Sequence, residues 1–524
     1  MLVSLRRPLW AALLCSGIFS SACGARTGIG AGDAGVDTPQ TCTVDLDCAT
    51  GDACSPAECR EGVCSPLPSK ICDDHDECTA DACDPDSGAC SFTPLTFDHD
   101  GDGHKAPRPG FAPGAPGACG DDCNDSSAAA HPGGVELCDG VDNDCNGQID
   151  DGAAYGGASQ PVRVSSTTFD RSSRGGLAFD GKNYGASYSG HQKIWSSYFS
   201  GLSRSGASVV SATPLTDINS ETYAGILLHN GSYFESSWED ARQDGNYEVY
   251  FNRFDSNGKK LGPDLRLSNA PNFSLHSAMV WNGVESVVVW DDRRFESRGG
   301  DDVRLFGQRV DFSGKTVGGN VPLTQPGTLA EYPSIALGVS KIGLVFASQV
   351  GSSVHAKFLT TAADLSAPSA LVDVGTTDVQ NPTLVYANGH FLVAWERYGV
   401  NGPESSIFGA LLDETGKLLT PERPITSGAN FARTFSLLSL GERTLMVWAD
   451  DHDGNYELYW QILDSNLGVV VPRTRLTFTP TDTLSPIAAF GPSGDIGILY
   501  DDWQTGERQS FFLSMGCIMS SGVK

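Results

Sequence analysis

Between Asp98 and Gly147 the chain sets carboxylates and amides at spacings that suit a hard cation. Asp142, Asp144 and Asn146 alternate ahead of Gly147, and Asp150 follows. In an extended loop such alternation turns oxygen-bearing side chains toward one point, and the glycine permits the bend that wraps the chain around an ion. Asp98, Asp100 and Asp102, ahead of Gly103, repeat the device. Neither stretch is a complete EF-hand loop, because Pro109 and Ala153 stand where the closing Glu is needed. A further ligand must come from elsewhere, and Asp121, Asp122 and Asp125 are the candidates. Oxygen donors predict calcium. Copper prefers thiolate, thioether and imidazole, of which this stretch offers only His99, His104 and His131 as nitrogen donors, so copper is the alternative. The bland alternative is an acidic spacer held by disulfides.

The elements Asp98–Gly103, Cys119, Asp122-Cys123-Asn124-Asp125, His131-Pro132-Gly133 and Cys138-Asp139-Gly140-Val141-Asp142-Asn143-Asp144-Cys145-Asn146-Gly147 together resemble the MopE-type metal-binding motif family, which takes its name from a copper-binding bacterial surface protein. The resemblance implies metal ligands among Asp98, Asp100, Asp102, Asp122, Asp125, Asp139, Asp142, Asp144, Asn146 and Asp150. It covers a small fraction of the chain and says nothing about the rest.

Elsewhere the familiar catalytic signatures are missing. The sequence holds no H-E-x-x-H, no G-x-S-x-G and no P-loop. The S-x-D-x-G-x-T-W boxes of sialidase propellers are absent too. Its 10 histidines show no repeating position, so acid-base chemistry has no visible centre. These searches predict a protein that is not an enzyme and that binds an extracellular protein or glycan. A polysaccharide hydrolase or lyase working through the propeller described below is the rival from another class.

The elements that must carry these residues begin with an export signal. Arg6 and Arg7 precede an apolar run from Leu9 to Phe19, and Ser20-Ser21-Ala22-Cys23 follows. This resembles a bacterial lipoprotein signal over residues 1–22, with Cys23 lipidated and the chain held at the outer membrane or cell surface. Ser20 departs from the usual apolar residue, and ordinary cleavage after Ala22 is the rival. Residues 23–41 are poor in large apolar side chains and read as a tether. The net charge of -29 repels phosphate backbones and excludes nucleic acid as a partner.

Of 16 cysteines, all but Cys517 precede residue 146. In an exported chain this predicts disulfides rather than zinc. Cys48, Cys54, Cys59 and Cys64 and then Cys72, Cys78, Cys83 and Cys90 form two copies of one spacing within 42–95, and each copy can close two bridges by itself. They resemble the cysteine-rich repeats of myxobacterial surface proteins. Cys119, Cys123, Cys138 and Cys145 make a third even set in the acidic module, 96–153. Cys42 and Cys517 are left over, and a bridge between them is one option.

From 160 to 517 an all-β repeat of roughly 50 residues takes over. Its sharpest copies run from Tyr233 and from Leu445, each with an apolar strand ending at Trp238 or Trp448, an Asp/Gly hairpin and an alternating strand. Weaker copies centre on Tyr188, Trp290, Phe346, Trp395 and Tyr500. Seven units predict a seven-bladed β-propeller, or six blades if the Tyr188 unit is irregular. The last unit lacks an outer strand, which Pro161–Ser166 resembles. The repeated W-x-D of Trp238, Trp290 and Trp448 reads as architecture: the aromatic packs between blades and the Asp accepts hydrogen bonds at the hairpin entrance.

Overall fold

The computed structural model describes residues 40–49, 51–134, 136, 141–147, 153–216, 220–243, 245–296, 302–398, 405–426, 431–491 and 494–519. Two compact units are present, Met1–Leu95 and Thr96–Lys524. The described residues contain no α-helix, only a short 3-10 turn at Asp45–Cys48. None of their helices is long and apolar enough to cross a membrane.

The first unit is two small hairpins, Ala57–Arg60 with Val63–Pro66 and Thr79–Cys83 with Cys90–Pro94. Leu46 and Ile71 lie exposed at 82% and 86%, so burial of apolar side chains contributes little and covalent bridges carry the stability. The bridges are Cys42–Cys59, Cys48–Cys64, Cys54–Cys83 and Cys72–Cys90. This corrects the pairing expected from spacing. Cys42 belongs to the first hairpin and is not a partner of Cys517, and Cys54–Cys83 ties the two copies together, so neither closes alone. Cys78, Cys119 and Cys517 are also oxidised.

In the second unit seven antiparallel sheets form seven blades, as the repeat count predicts. Their first strands are Arg171–Phe179, Thr222–His229, Ser274–Trp281, Ala330–Leu337, Val379–Ala387, Arg433–Leu440 and Thr483–Phe490, and consecutive ones pack together around the axis. Seven apolar clusters fill the seven gaps between blades. The cluster joining the last blade to the first holds Leu499 and Phe512 against Leu177 and Tyr184. Face-to-face packing explains the sequence texture. A strand sandwiched between two blades is buried on both faces, so Glu285–Asp292 and Arg443–Asp450 are buried almost throughout. Outer strands such as Ser208–Pro214 and Leu418–Pro424 touch water and alternate.

The ring closes through the chain's two ends. The last strand, Gln509–Met519, pairs with Ala153–Ala158 and, farther along, with Val162–Arg163. The segment Pro161–Ser166 therefore supplies an outer strand of the seventh blade, and Ala153–Ala158, unread from sequence, prolongs it after a break at Ser159–Pro161.

Candidate functional site

The W-x-D boxes are what position the inner face. Each aromatic is fully buried and meets an aromatic opposite it on the next strand, as Trp238 meets Tyr250, Trp290 meets Phe306 and Trp448 meets Tyr459. The indole nitrogens of Trp238, Trp290 and Trp448 donate to Asp240, Asp292 and Asp450 at 3.0–3.2 Å. Those aspartates accept the backbone N–H two residues on, at the hairpin entrance. Where the box carries Arg397 instead, the Trp395 nitrogen loses this acceptor and is buried without a partner among the described residues.

The middle residue of the box does a different job. Glu239 accepts the N–H of His276 in the next blade at 2.6 Å, Glu396 accepts that of Thr434 at 2.8 Å, and Ser189 accepts that of Ala224 at 2.8 Å. The donating N–H groups sit on a bulge that interrupts pairing in the first strand of each blade. At this bulge His276, Tyr332, Asn381, Thr434 and Ser485 take left-handed φ values of 42–59°. Each costs about 1 kcal/mol or more for a residue with a Cβ. In the first two blades Gly175 and Gly225 stand nearby, where a Cβ would come within 2.8 Å and 2.5 Å of neighbouring atoms. All seven residues line one axial cavity of about 530 Å³.

His276 is the chemical centre of that cavity. Its Nδ1 lies 2.7 Å from Oδ1 of the fully buried Asp291, which leaves Nε2 as the nitrogen for the cavity. The Tyr332 ring packs on the imidazole with centroids 4.0 Å apart. Burial opposes the imidazolium, but the hydrogen bond to Asp291 and the charges of Asp291, Glu239 and Glu331 outweigh it and raise the His276 pKa. Burial lifts Glu239 and Glu396 above the ordinary carboxylate range. Glu331 is ion-paired with Arg293. The arrangement can hold a proton on a positioned nitrogen inside a water-accessible cavity, which is general-acid chemistry. Sequence reasoning missed this centre. Its signal was the middle letter of W-x-D, acidic in Glu239 and Asp291, together with one histidine falling at the bulge.

The acidic module gathers oxygen ligands in two groups. Ligand atoms of Asp98, Asp100 and Asp125, and of Asp100, Asp102 and Asp122, lie within 4.8 Å of one another. The Oδ2 atoms of Asp100, Asp102 and Asp122 are buried without a hydrogen-bond partner among the described residues. Carboxylates crowded and orphaned in this way fit a divalent cation, which would relieve both their repulsion and their unmade bonds. Asp122 is pushed up by burial and by its acidic neighbours. Close backbone approach holds the module: a Cβ on Gly120 would fall 2.2 Å from the Lys105 and Ala106 carbonyls. The Cys123–Cys145 bridge pins its far side.

Asp142, Asp144 and Asn146 form a turn in which Asp142 accepts from Asn146 and Gly147 and Asp144 from Asn146. Asp139, Asp150 and Cys138 lie outside the described residues, as does Cys23. Asp121 bonds His104 instead of the acidic groups, and His99 is tied to Asp125. In the propeller, Asp453 of the hairpin at Asp451–Asn455 pairs with Arg475, so that turn is complete without an ion.

Residues 122–151 match a family model described as "Putative metal-binding motif" of the copper-binding MopE type, and residues 71–95 match a slime mold (Dictyostelium) repeat. No curated protein sequence matches the chain. Among solved structures, an ulvan lyase of polysaccharide lyase family 25 is similar at 9% identity and a TM-score of 0.45, over 69% of this chain and 94% of its own. The endosialidase of phage phi92 is similar at 8% identity and a TM-score of 0.41, over 70% of each chain. An endo-arabinase from Bacteroides thetaiotaomicron is similar at 12% identity and a TM-score of 0.31, over 45% of this chain and 91% of its own. These neighbours are enzymes, a finding that stands against the expectation of a chain that is not one. Likeness at such identities is one of fold, so the chemistry of this chain has to be argued from its own side chains.

Proposed function

We propose that this is an exported propeller that cleaves an extracellular polysaccharide at its axial cavity. The observation that carries the reading is His276, held at 2.7 Å by a buried aspartate and packed against the Tyr332 ring, at a bulge that recurs around the whole ring. A charged His276 donates its Nε2 proton to the departing glycosidic oxygen, and Tyr332 and Asn381 offer the sugar an aromatic face and an amide. The disulfides indicate an exported protein. In this reading Cys23 carries the lipid that holds it at the outer membrane, with a surface glycan as partner. The test is incubation with soluble neutral and acidic polysaccharides, following reducing ends and the ultraviolet absorbance of unsaturated sugars. Turnover that disappears in His276→Ala supports the reading, and no turnover on any of them sinks it.

A second reading concerns the acidic module, where calcium is the cation that the donor set favours. Asp98, Asp100, Asp102, Asp122 and Asp125 would hold it, supplying oxygen ligands only. Protein purified without added metal should bind calcium in calorimetry, and copper should not displace it. A chelator should lower the melting temperature. Identical melting curves with and without chelator would dismiss the reading.

A further inference from the structure

The break in the closing strand opens a cleft that belongs to the seam between the last two blades. Its volume is about 540 Å³, within the range of small-ligand sites. Tyr155 of the closing strand and Trp460 of the sixth blade meet edge to face, ring centroids 6.0 Å apart, and both line it. Phe478 stands at its rim, 75% exposed.

Phe478 is an exception to the repeat. In every blade but the fourth, which reads Val374-Gly375, the outer strand ends in a buried apolar residue and a hydroxyl residue, as in Leu267-Ser268 and Leu323-Thr324, and there the next residue is polar, Asn269 or Gln325. The sixth blade reads Leu476-Thr477-Phe478. An aromatic has therefore replaced a polar residue where this cleft lies beside it.

The one charged residue that lines the cleft, Arg475, is held by Glu457 and Asp453 at 2.9 Å each and lies 4.7 Å above the Phe478 ring. The remaining lining supplies hydroxyl and amide groups, Thr474, Thr479 and Gln504 among them.

From these observations we propose that the seam cleft binds an uncharged oligosaccharide, whose ring faces stack on the aromatics while its hydroxyls meet the threonines and Gln504. The inference rests on the cleft's own residues and stands whether or not the axial cavity is catalytic. A charged ligand would find no free counter-charge there.

The test uses the full chain, titrated by calorimetry with neutral oligosaccharides (cello-, xylo-, manno- and arabino-series) and with an acidic one, an oligogalacturonate. Phe478→Ser restores the polar character of the other blades at an exposed position and leaves the core untouched. Saturable binding of a neutral series is expected, weakened about tenfold or more in Phe478→Ser and unchanged in His276→Ala. Binding lost in His276→Ala but retained in Phe478→Ser would place the ligand in the axial cavity and overturn the proposal. So would a preference for oligogalacturonate, or the absence of binding by any neutral series.

Discussion

At the scale of single residues the same three-letter box serves two masters. Its first and third positions, aromatic and aspartate, build the hairpin entrance, and their repetition in blade after blade made that role legible from sequence alone. The middle position varies as Ser189, Glu239, Asp291, Ala347, Glu396, Ala449 and Asp501, and the variation concealed a role that appears only when the blades are set around an axis. Asp291 is the case that decides chemistry, because its carboxylate faces the His276 ring where Glu239 faces a backbone N–H. Asp291→Asn keeps the shape and removes the charge that raises the His276 pKa. If a charged His276 donates the proton, activity falls as pH rises through that raised pKa, and the variant's loss moves to lower pH. The shift should appear in kcat/KM against pH. An unmoved profile would leave Asp291 a structural residue only.

At the scale of elements, periodicity revealed the strands and the count of blades but not the places where periodicity fails. The bulge in each first strand is invisible in sequence, because no glycine marks it in five of seven blades and the cost falls on His276, Tyr332, Asn381, Thr434 and Ser485. Burial of the neighbouring strands overrides that local cost. The closing element was half legible. Val162 and Arg163 follow the pattern of other outer strands, whereas Ala153–Ala158 contains two glycines and three alanines and reads as a linker until it is seen hydrogen-bonded to Gln509–Met519. Disulfide pairing was the least legible, since equal spacings in two cysteine sets suggest two closed copies, and only the folded hairpins show that Cys54 reaches Cys83. The acidic groups were readable as residue types, but convergence of Asp122 with Asp100 and Asp102 depends on loop paths fixed by contacts such as that of Gly120 with Lys105 and Ala106.

At the scale of the whole molecule, the propeller stores acidity in its interior. Burial raises the pKa of Glu235, Glu239, Glu396 and Asp502, and charge neighbours raise that of His276. A group whose folded pKa lies above its unfolded value binds its proton more tightly in the folded state. Its stabilisation is complete below the unfolded pKa and is lost as pH rises through the folded one. Carboxylates shifted the other way, such as Asp311 and Asp413, lie at the surface, where solvent screens their contribution. The buried set therefore wins, and the melting temperature should rise as pH falls from 8 toward 6. The net charge of -29 pushes in the same direction, since protonation relieves self-repulsion. High salt separates the two, because it screens surface charge far more than buried groups. Glu235 gives the cleaner test: it is buried between Asn230, which donates to it at 2.6 Å, and Ser286, and it lies apart from the axial cavity. Glu235→Gln should melt higher than the parent at pH 8 and show a shallower rise as pH falls toward the ordinary carboxylate range, in high salt as in low. A parent protein that melts lower at pH 6 than at pH 8 would mean that the surface carboxylates outweigh the buried ones.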